Sequence, residues 1–266
     1  MKNVLISPPF QTPFKITTNC DDLVRLLKLK HGKYLTATAF GSHDAKNITA
    51  IKRGDSYSIT FSNKMVQDKS GVLAIDEIMF NNTAYDPNIF AIHGAAVEWR
   101  GKAYLFLAST TSGKSTLTSY LTSKGFGYIT DDCILLDRTS FAIYPYPTPI
   151  HLRDGGMDIL KRCHAQPGSV DILDDQSIKR YVYTPSNCVD APTALEKIFF
   201  IRRTTDENRI FSMDTTSRIT ALMKSPITPY PVTPEYLSFL SKLSRKDCFN
   251  LDYCDMNFVA GVIQNG

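Results

Sequence analysis

The sequence has no Cys-x-x-Cys pair. Its six cysteines, Cys20, Cys133, Cys163, Cys188, Cys248 and Cys254, are spaced irregularly. That spacing argues against a zinc site and fits scattered reduced thiols in a cytosolic chain. No run of Lys and Arg is interleaved with aromatics, so nucleic-acid binding is set aside. Near the start, the apolar piece Val4 to Ile6 is cut off by Pro8-Pro9. It is too short to read as a signal peptide or a membrane span, so the expected location is the cytoplasm, with no membrane partner. There is no internal repeat, low-complexity tract or clear linker. Charge of one sign is scarce too: 30 Lys and Arg against 26 Asp and Glu leave a formal +4. That mild excess suits an anionic ligand without requiring one.

What is present is ordinary globular material. The 266 residues, 43% hydrophobic and 21% charged, can bury one sizeable core with a small second lobe. Residues 1–70 read as a strand-rich N-terminal lobe. Tyr34 to Phe40, Ile48 to Ile51 and Tyr57 to Phe61 are β-prone, and Leu23 to Leu29 suits a short helix. His31 and His43 read as surface residues. Residues 71–266 read as the larger domain, continuous with the lobe in one variant of this reading. Val72 to Phe80, Met157 to Cys163, Thr216 to Met223 and Pro234 to Leu243 have helical patterns, the last opened by Thr-Pro-Glu. Ile89 to Val97 reads as a strand that turns at Arg100-Gly101 into a second one. Ile134 to Leu136 with Phe141 to Tyr144 suggest a hairpin, and Leu195 to Arg202 is a further strand. Ile172 to Asn187 is polar and gives no clear pattern.

The most informative stretch is Tyr104-Leu-Phe-Leu-Ala-Ser-Thr-Thr-Ser-Gly113-Lys114-Ser115-Thr116-Leu117. An apolar run leads into a small-residue loop, then Gly-Lys-Ser, then apolar residues Leu117, Tyr120 and Leu121 at helical spacing. That order is what a phosphate-binding loop needs. Backbone N–H groups from Ser109 to Lys114 can wrap an anion, and the following helix points its positive end there. Lys114 adds a mobile charge for the outer phosphates, and Ser115 offers a hydroxyl to Mg²⁺. The first glycine of the usual pattern is Ala108 here, strained if that position needs positive φ and unstrained if it does not. The rival reading is a chance Gly-Lys-Ser beside a buried strand. Gly125 marks a helix stop.

Asp131 and Asp132 follow Lys114 by seventeen and eighteen residues, at the end of the short run Gly127 to Thr130. Ligand sites gather at such strand ends. One carboxylate can hold Mg²⁺ while the other orients a hydroxyl and accepts its proton. Neighbours on a strand point oppositely, so a shared role requires the strand to end between them. A turn or helix-cap pair is the alternative. His93, twenty-one residues before Lys114, sits in an apolar strand and is followed by Gly94. It is either a core histidine or a group near the terminal phosphate whose pKa a neighbouring carboxylate raises.

His93-Gly94, the Ser109-Thr-Thr-Ser-Gly113-Lys114-Ser115 loop and Asp131-Asp132, in this order and at these intervals, resemble the catalytic domain of the HPr kinase/phosphorylase family. The resemblance runs over residues 89–203. It implies an α/β fold with a phosphoenolpyruvate-carboxykinase/HPr-kinase-like P-loop core and a mixed sheet. It implies ATP and Mg²⁺ as cofactors and transfer to a serine hydroxyl of a peptide or protein. By carry-over, Asp131 is the general base, His93 its helper and Lys114 the phosphate clamp. Ser115 and Asp132 are the metal ligands, and Ser109, Thr110, Thr111, Ser112, Gly113, Lys114, Ser115 and Thr116 form the nucleotide cradle. Family members assemble into rings, so a homo-oligomer is compatible with the resemblance, although no interface is marked in the sequence.

There are departures. The family's Glu-x-Arg-Gly segment corresponds to His151-Leu-Arg153-Asp-Gly155, which lacks the metal-side glutamate. Reverse phosphorolysis and an HPr substrate are therefore not expected. The Tyr144 to Arg153 segment, the Lys-Ile-Phe-Phe-Ile strand and the tail are more similar to the compact HPr-kinase-like serine kinases of lasso-peptide biosynthesis. Arg153 is either a contact for an acidic substrate or a surface ion-pair partner. A small-molecule kinase on the same core and a non-catalytic nucleotide-binding module are the alternatives.

Overall fold

The structure, a computed structural model, describes residues 1–37, 44–109, 112–163, 170–175, 178–227 and 230–265. In chain order the first elements are β1 (Lys2–Ile6), β2 (Phe14–Thr18), α1 (Asp21–His31), β3 (Leu35–Ala37), β4 (Lys46–Arg53), β5 (Ser56–Phe61), β6 (Lys64–Asp68) and α2 (Gly71–Asn82). Then come β7 (Ile89–Trp99), β8 (Lys102–Leu107), α3 (Lys114–Ser123), β9 (Gly127–Thr130), β10 (Cys133–Asp137), β11 (Ala142–Tyr144), β12 (Ile150–Leu152) and α4 (Asp154–Arg162). The chain continues through β13 (Asp171–Asp175), β14 (Ile178–Tyr183), β15 (Thr193–Arg203), β16 (Arg209–Ser212), α5 (Thr215–Met223), α6 (Pro234–Leu243), β17 (Asp247–Tyr253) and α7 (Met256–Gln264). No described helix is long and apolar enough to cross a membrane.

These elements form two compact units of mixed α/β structure. The first holds Met1–Asp86, Thr148–Asp154 and Ser169–Thr184; the second holds Pro87–Pro147, Gly155–Gly168 and Pro185–Gly266.

The first unit carries a six-stranded sheet in the order β3-β1-β2-β4-β5-β6, with β2 and β4 parallel. In β2 the alternation Phe14, Ile16, Thr18 is buried on one face, as a half-buried strand requires. In α1, Leu23, Leu26 and Leu27 recur at helical spacing and are buried, with Asp21 and Asp22 in the first turn and Lys28, Lys30 and His31 in the last. Ser70 caps α2 by accepting from the Leu73 N–H at 3.1 Å. The unit does not end at residue 70 as the sequence suggests. Val72 and Ile75 of α2 share a core with Leu23 and Ile59. Leu173 and Val182, from a small sheet ordered β12-β14-β13, join the same core. The segment 172–187 thus supplies a hairpin that its polarity hides. His31 is not a surface residue: its side chain is only 12% exposed and meets Asp76 at 3.3 Å. His43 and residues 38–40 of the expected Tyr34 to Phe40 strand lie outside the described residues.

The second unit is built on one large sheet, ordered β11-β10-β7-β8-β15-β17-β16, with β9 also paired to β7. The β7–β8 hairpin turns at Arg100 and Gly101, both at positive φ (52° and 77°). Strands β8, β15 and β17 are mutually parallel, so their C-terminal ends open on one edge. Phe90, Ile92, Leu105, Leu107, Ile134 and Ile198 anchor its buried core. The helix α6 begins as its sequence signals, with Thr233 capping and Pro234 in the first turn.

Candidate active site

Strand β7 organises the site. It pairs with β8 on one side and β10 on the other. Gly94 faces Leu107, the last residue of β8, and His93 faces Cys133, the first residue of β10. The loop after β8 and the turn before β10 are therefore brought to the same end of β7. Gly94 has a steric reason: an added Cβ would fall 2.6 Å from Leu107 Cδ2 and 2.8 Å from both Ile134 Cδ1 and the Phe106 carbonyl. Only glycine lets the three strands close here.

The loop enters α3 through Gly113, at φ 92°, a left-handed conformation that glycine adopts without penalty. Ala108 is not among the described residues with positive φ, so its methyl group is accommodated in an ordinary backbone. Lys114 is 6% exposed, and its ammonium donates to the carbonyls of Ala108 (2.9 Å) and Ser109 (3.1 Å). Burial lowers its pKa, while Asp132 and Asp131 oppose that shift. Ser112 Oγ is shut off from solvent with no hydrogen-bond partner among the described residues. Thr110 and Thr111 lie outside the described residues.

Strand β9 ends at Thr130, and both carboxylates lie in the tight turn to β10. Asp132 adopts φ 72°, which Asp tolerates better than most residues. The turn frees the two side chains from strict strand alternation, so that both act electrostatically on Lys114. Asp131 is 2% exposed. Burial, then the adjacent Asp132, push its pKa up to about 8, while a hydrogen bond from the Ser115 hydroxyl and the charge of Lys114 pull the other way. The Asp132 carbonyl accepts from His93 Nδ1 at 3.2 Å, which places the imidazole proton on Nδ1. His93 titrates below its ordinary value, because burial and Lys114 outweigh Asp132. The upward shift expected from a neighbouring carboxylate does not occur, because the burial of the imidazole and then the charge of Lys114 act against it.

Lys114, Ser115, Asp131, Asp132 and His93 thus converge at the N-terminus of α3. Arg153 lies in the first unit, where its charge lowers the pKa of Arg180 after burial has done so. His151 is also in the first unit, with its pKa pushed down to about 3 by burial, then by Lys30.

Sequence reasoning misses the other border of the loop. A Cβ at Gly113 would lie 3.3 Å from the Tyr253 hydroxyl and 3.9 Å from Arg203 Cδ. Arg203 ends β15 and Tyr253 ends β17, the two strands parallel to β8. The only signal available for them was position at a strand end in an α/β sheet.

The oxygen donors at the α3 N-terminus, the Ser115 hydroxyl and the two carboxylates, fit a partly hydrated magnesium ion. Among the described residues, no three or more His, Cys, Asp or Glu side chains form a cage for a metal. The donor set therefore suits an ion brought in with phosphate oxygens, not a tightly held structural metal.

No protein-family model and no curated relative matches the sequence. Among solved structures, the chain is similar to the Hpr(Ser) kinase/phosphatase from Coxiella burnetii, at 10% identity and a TM-score of 0.29 over 66% of this chain and 94% of that one.

Proposed function

We propose that this protein is an ATP- and Mg²⁺-dependent phosphotransferase whose acceptor is a serine hydroxyl on a peptide. The observation that carries the proposal is the convergence of Lys114, Ser115 and Asp131 where the loop after β8 enters α3. A buried ammonium, a hydroxyl and a helix N-terminus together make a site for a polyanion. Its carboxyl companion supplies proton-transfer chemistry.

In this reading Lys114 leaves the carbonyls of Ala108 and Ser109 and neutralises the outer phosphates. The buried Ser112 hydroxyl gains an acceptor. Asp131, in its ionised form, takes the proton of the attacking hydroxyl as that oxygen bonds to the γ-phosphorus and the bond to the β-phosphate breaks, releasing ADP. Magnesium, held by Ser115 and Asp132 when bound, supplies charge neutralisation across the phosphates. The imidazole of His93, with its proton fixed on Nδ1, orients the Asp132 backbone rather than competing for the phosphate as a cation. The serine acceptor is supported by the family resemblance that the ordered motifs carry, and the separate similarity of the Tyr144 to Arg153 segment, the Lys-Ile-Phe-Phe-Ile strand and the tail to lasso-peptide kinases makes a lasso-type precursor peptide the first acceptor to try.

The test is incubation with Mg-ATP and such peptides, read by intact mass. A gain of one phosphate that requires Asp131 supports the proposal. ATP binding without transfer to any peptide or small hydroxyl compound points instead to a nucleotide-binding module.

A further inference from the structure

The ends of β15 and β17 border a groove of about 730 Å³ that the chemistry above does not use. Arg202, Arg203, Thr204, Thr205 and Cys254 line it, with no carboxylate among them. Its volume falls within the roughly 300–1,000 Å³ of ligand-binding clefts.

Strand pairing sets this groove beside the phosphate loop. Phe200 pairs with Leu107, the last residue of β8, so β15 overhangs β8 and ends at Arg203. Arg203 in turn pairs with Tyr253 at the end of β17. Successive strand residues face opposite ways, so Arg203 and Tyr253 share one face while Arg202 and Asp252 share the other. The face of Arg203 is the one the loop lies on. A Cβ on Gly113 would stand 3.9 Å from Arg203 Cδ and 3.3 Å from the Tyr253 hydroxyl.

The charges around the groove are unevenly matched. Arg202 Nε donates to Asp252 at 2.9 Å, and Arg209 reaches the same carboxylate at 3.4 Å. Asp206 accepts from the Thr205 hydroxyl at 3.1 Å, and Glu207 meets Arg209 at 3.5 Å. These neighbouring carboxylates all have partners. Arg203 is exposed and takes part in no ion pair among the described residues. The backbone that carries it is held in place. The Thr204 N–H donates to the Tyr253 carbonyl at 2.8 Å, and the Asn208 side chain accepts from the Cys254 N–H at 3.0 Å. A guanidinium fixed beside the loop without a carboxylate of its own is suited to one that arrives on a ligand.

We infer that this groove receives the acceptor peptide and selects for an acidic side chain on it, with Arg203 as the specificity-determining residue. Neither a nucleotide nor a serine hydroxyl dictates the charge of the acceptor, so the groove adds a substrate class to the peptide-kinase reading on which it rests. The spacing on the peptide follows from the sheet. Adjacent strands lie about 4.8 Å apart, which puts the end of β15 roughly 5–10 Å from the start of the loop. Extended peptide covers about 3.3 Å per residue. The acidic residue therefore belongs two or three positions from the serine.

The experiment is fluorescence anisotropy of three labelled peptides with the intact protein, without nucleotide. The peptides share one sequence around a central serine and differ only in carrying Asp, Asn or Lys at the second and third positions on either side. Wild type is expected to bind the Asp peptide about tenfold more tightly than the Asn peptide, and the Lys peptide most weakly. Arg203→Glu is expected to reverse the order and favour the Lys peptide, a gain that a misfolded variant cannot show. Equal binding of the Asp and Asn peptides by wild type, binding of neither, or an Asp preference that survives Arg203→Glu overturns the inference. A parallel titration of wild type with Mg-ATP keeps the two readings apart. ATP binding with no charge preference among the peptides removes the groove and leaves the nucleotide reading standing. A charge preference without ATP binding removes the kinase reading, and the acceptor role with it.

Discussion

The hydroxyl of Ser115 donates a hydrogen bond to the carboxyl of Asp131. This contact joins the first turn of α3 to the turn after β9, sixteen residues away along the chain. It also places a buried acid beside the one lysine of the loop. A carboxyl group buried this deeply destabilises the fold when charged, as expected of a group retained for chemistry.

Asp131→Asn is expected to separate these effects. The folded pKa of about 8 lies above the unfolded value near 3.8, so between them the folded state keeps a proton that the unfolded chain has lost. The stability this group supplies therefore falls as pH rises through that window. In metal-free buffer near pH 7.5, the asparagine variant should be more stable by about 1 kcal/mol or more, with Tm rising by about 2–4 °C per kcal/mol. Phosphoryl transfer should fall by about 10²-fold or more while ATP binding remains. Calorimetric melting and a transfer assay read the two arms; a lower Tm with unchanged transfer would remove Asp131 from this role.

A separate acid sensitivity is expected in the first unit. His151 is pushed down to about 3 by burial and Lys30, with Asp76 and the Lys30 backbone opposing. Burial alone would raise Asp76, but Lys30 and His31 hold it below the usual carboxylate value. As pH drops from about 6.5 toward 3, the unfolded chain protonates at His151 and the folded one does not, so stability is lost across that window. At pH 5 the loss from this residue is about 2 kcal/mol. Urea titrations at pH 7 and pH 5 should show a smaller drop for His151→Gln than for wild type; equal drops would contradict the assignment.

Gly94→Ala should destabilise the second unit by about 2 kcal/mol or more, because the new methyl has no space between Leu107, Ile134 and the Phe106 carbonyl. The urea midpoint should fall with an unchanged slope. A midpoint within error of wild type would mean that the strands around β7 can separate.

Much of this site is legible in the chain because its parts are local. The loop, Asp131 and the His93-Gly94 strand lie within thirty-nine residues of one another, and hairpin pairing brings them together. Arg203 and Tyr253 are hidden for the opposite reason. They reach Gly113 through parallel pairing of β8, β15 and β17, and no local pattern encodes which strands become neighbours. The return of 148–154 and 169–184 to the first unit is hidden in the same way, since Leu173 and Val182 reach that core through pairings that no local pattern encodes. The downward shift of His93 comes from its own burial and then from the charge of Lys114, and the spacing of the motifs reveals neither.

The most direct measurement of the central claim is isothermal titration of Mg-ATP into the wild-type protein and into Lys114→Ala. Wild type should bind one equivalent, and the variant, without the buried ammonium against the outer phosphates, should bind at least about 10²-fold more weakly. Equal affinities in the two proteins, or no binding by either, would contradict a phosphate site built on Lys114, Ser115 and Asp131.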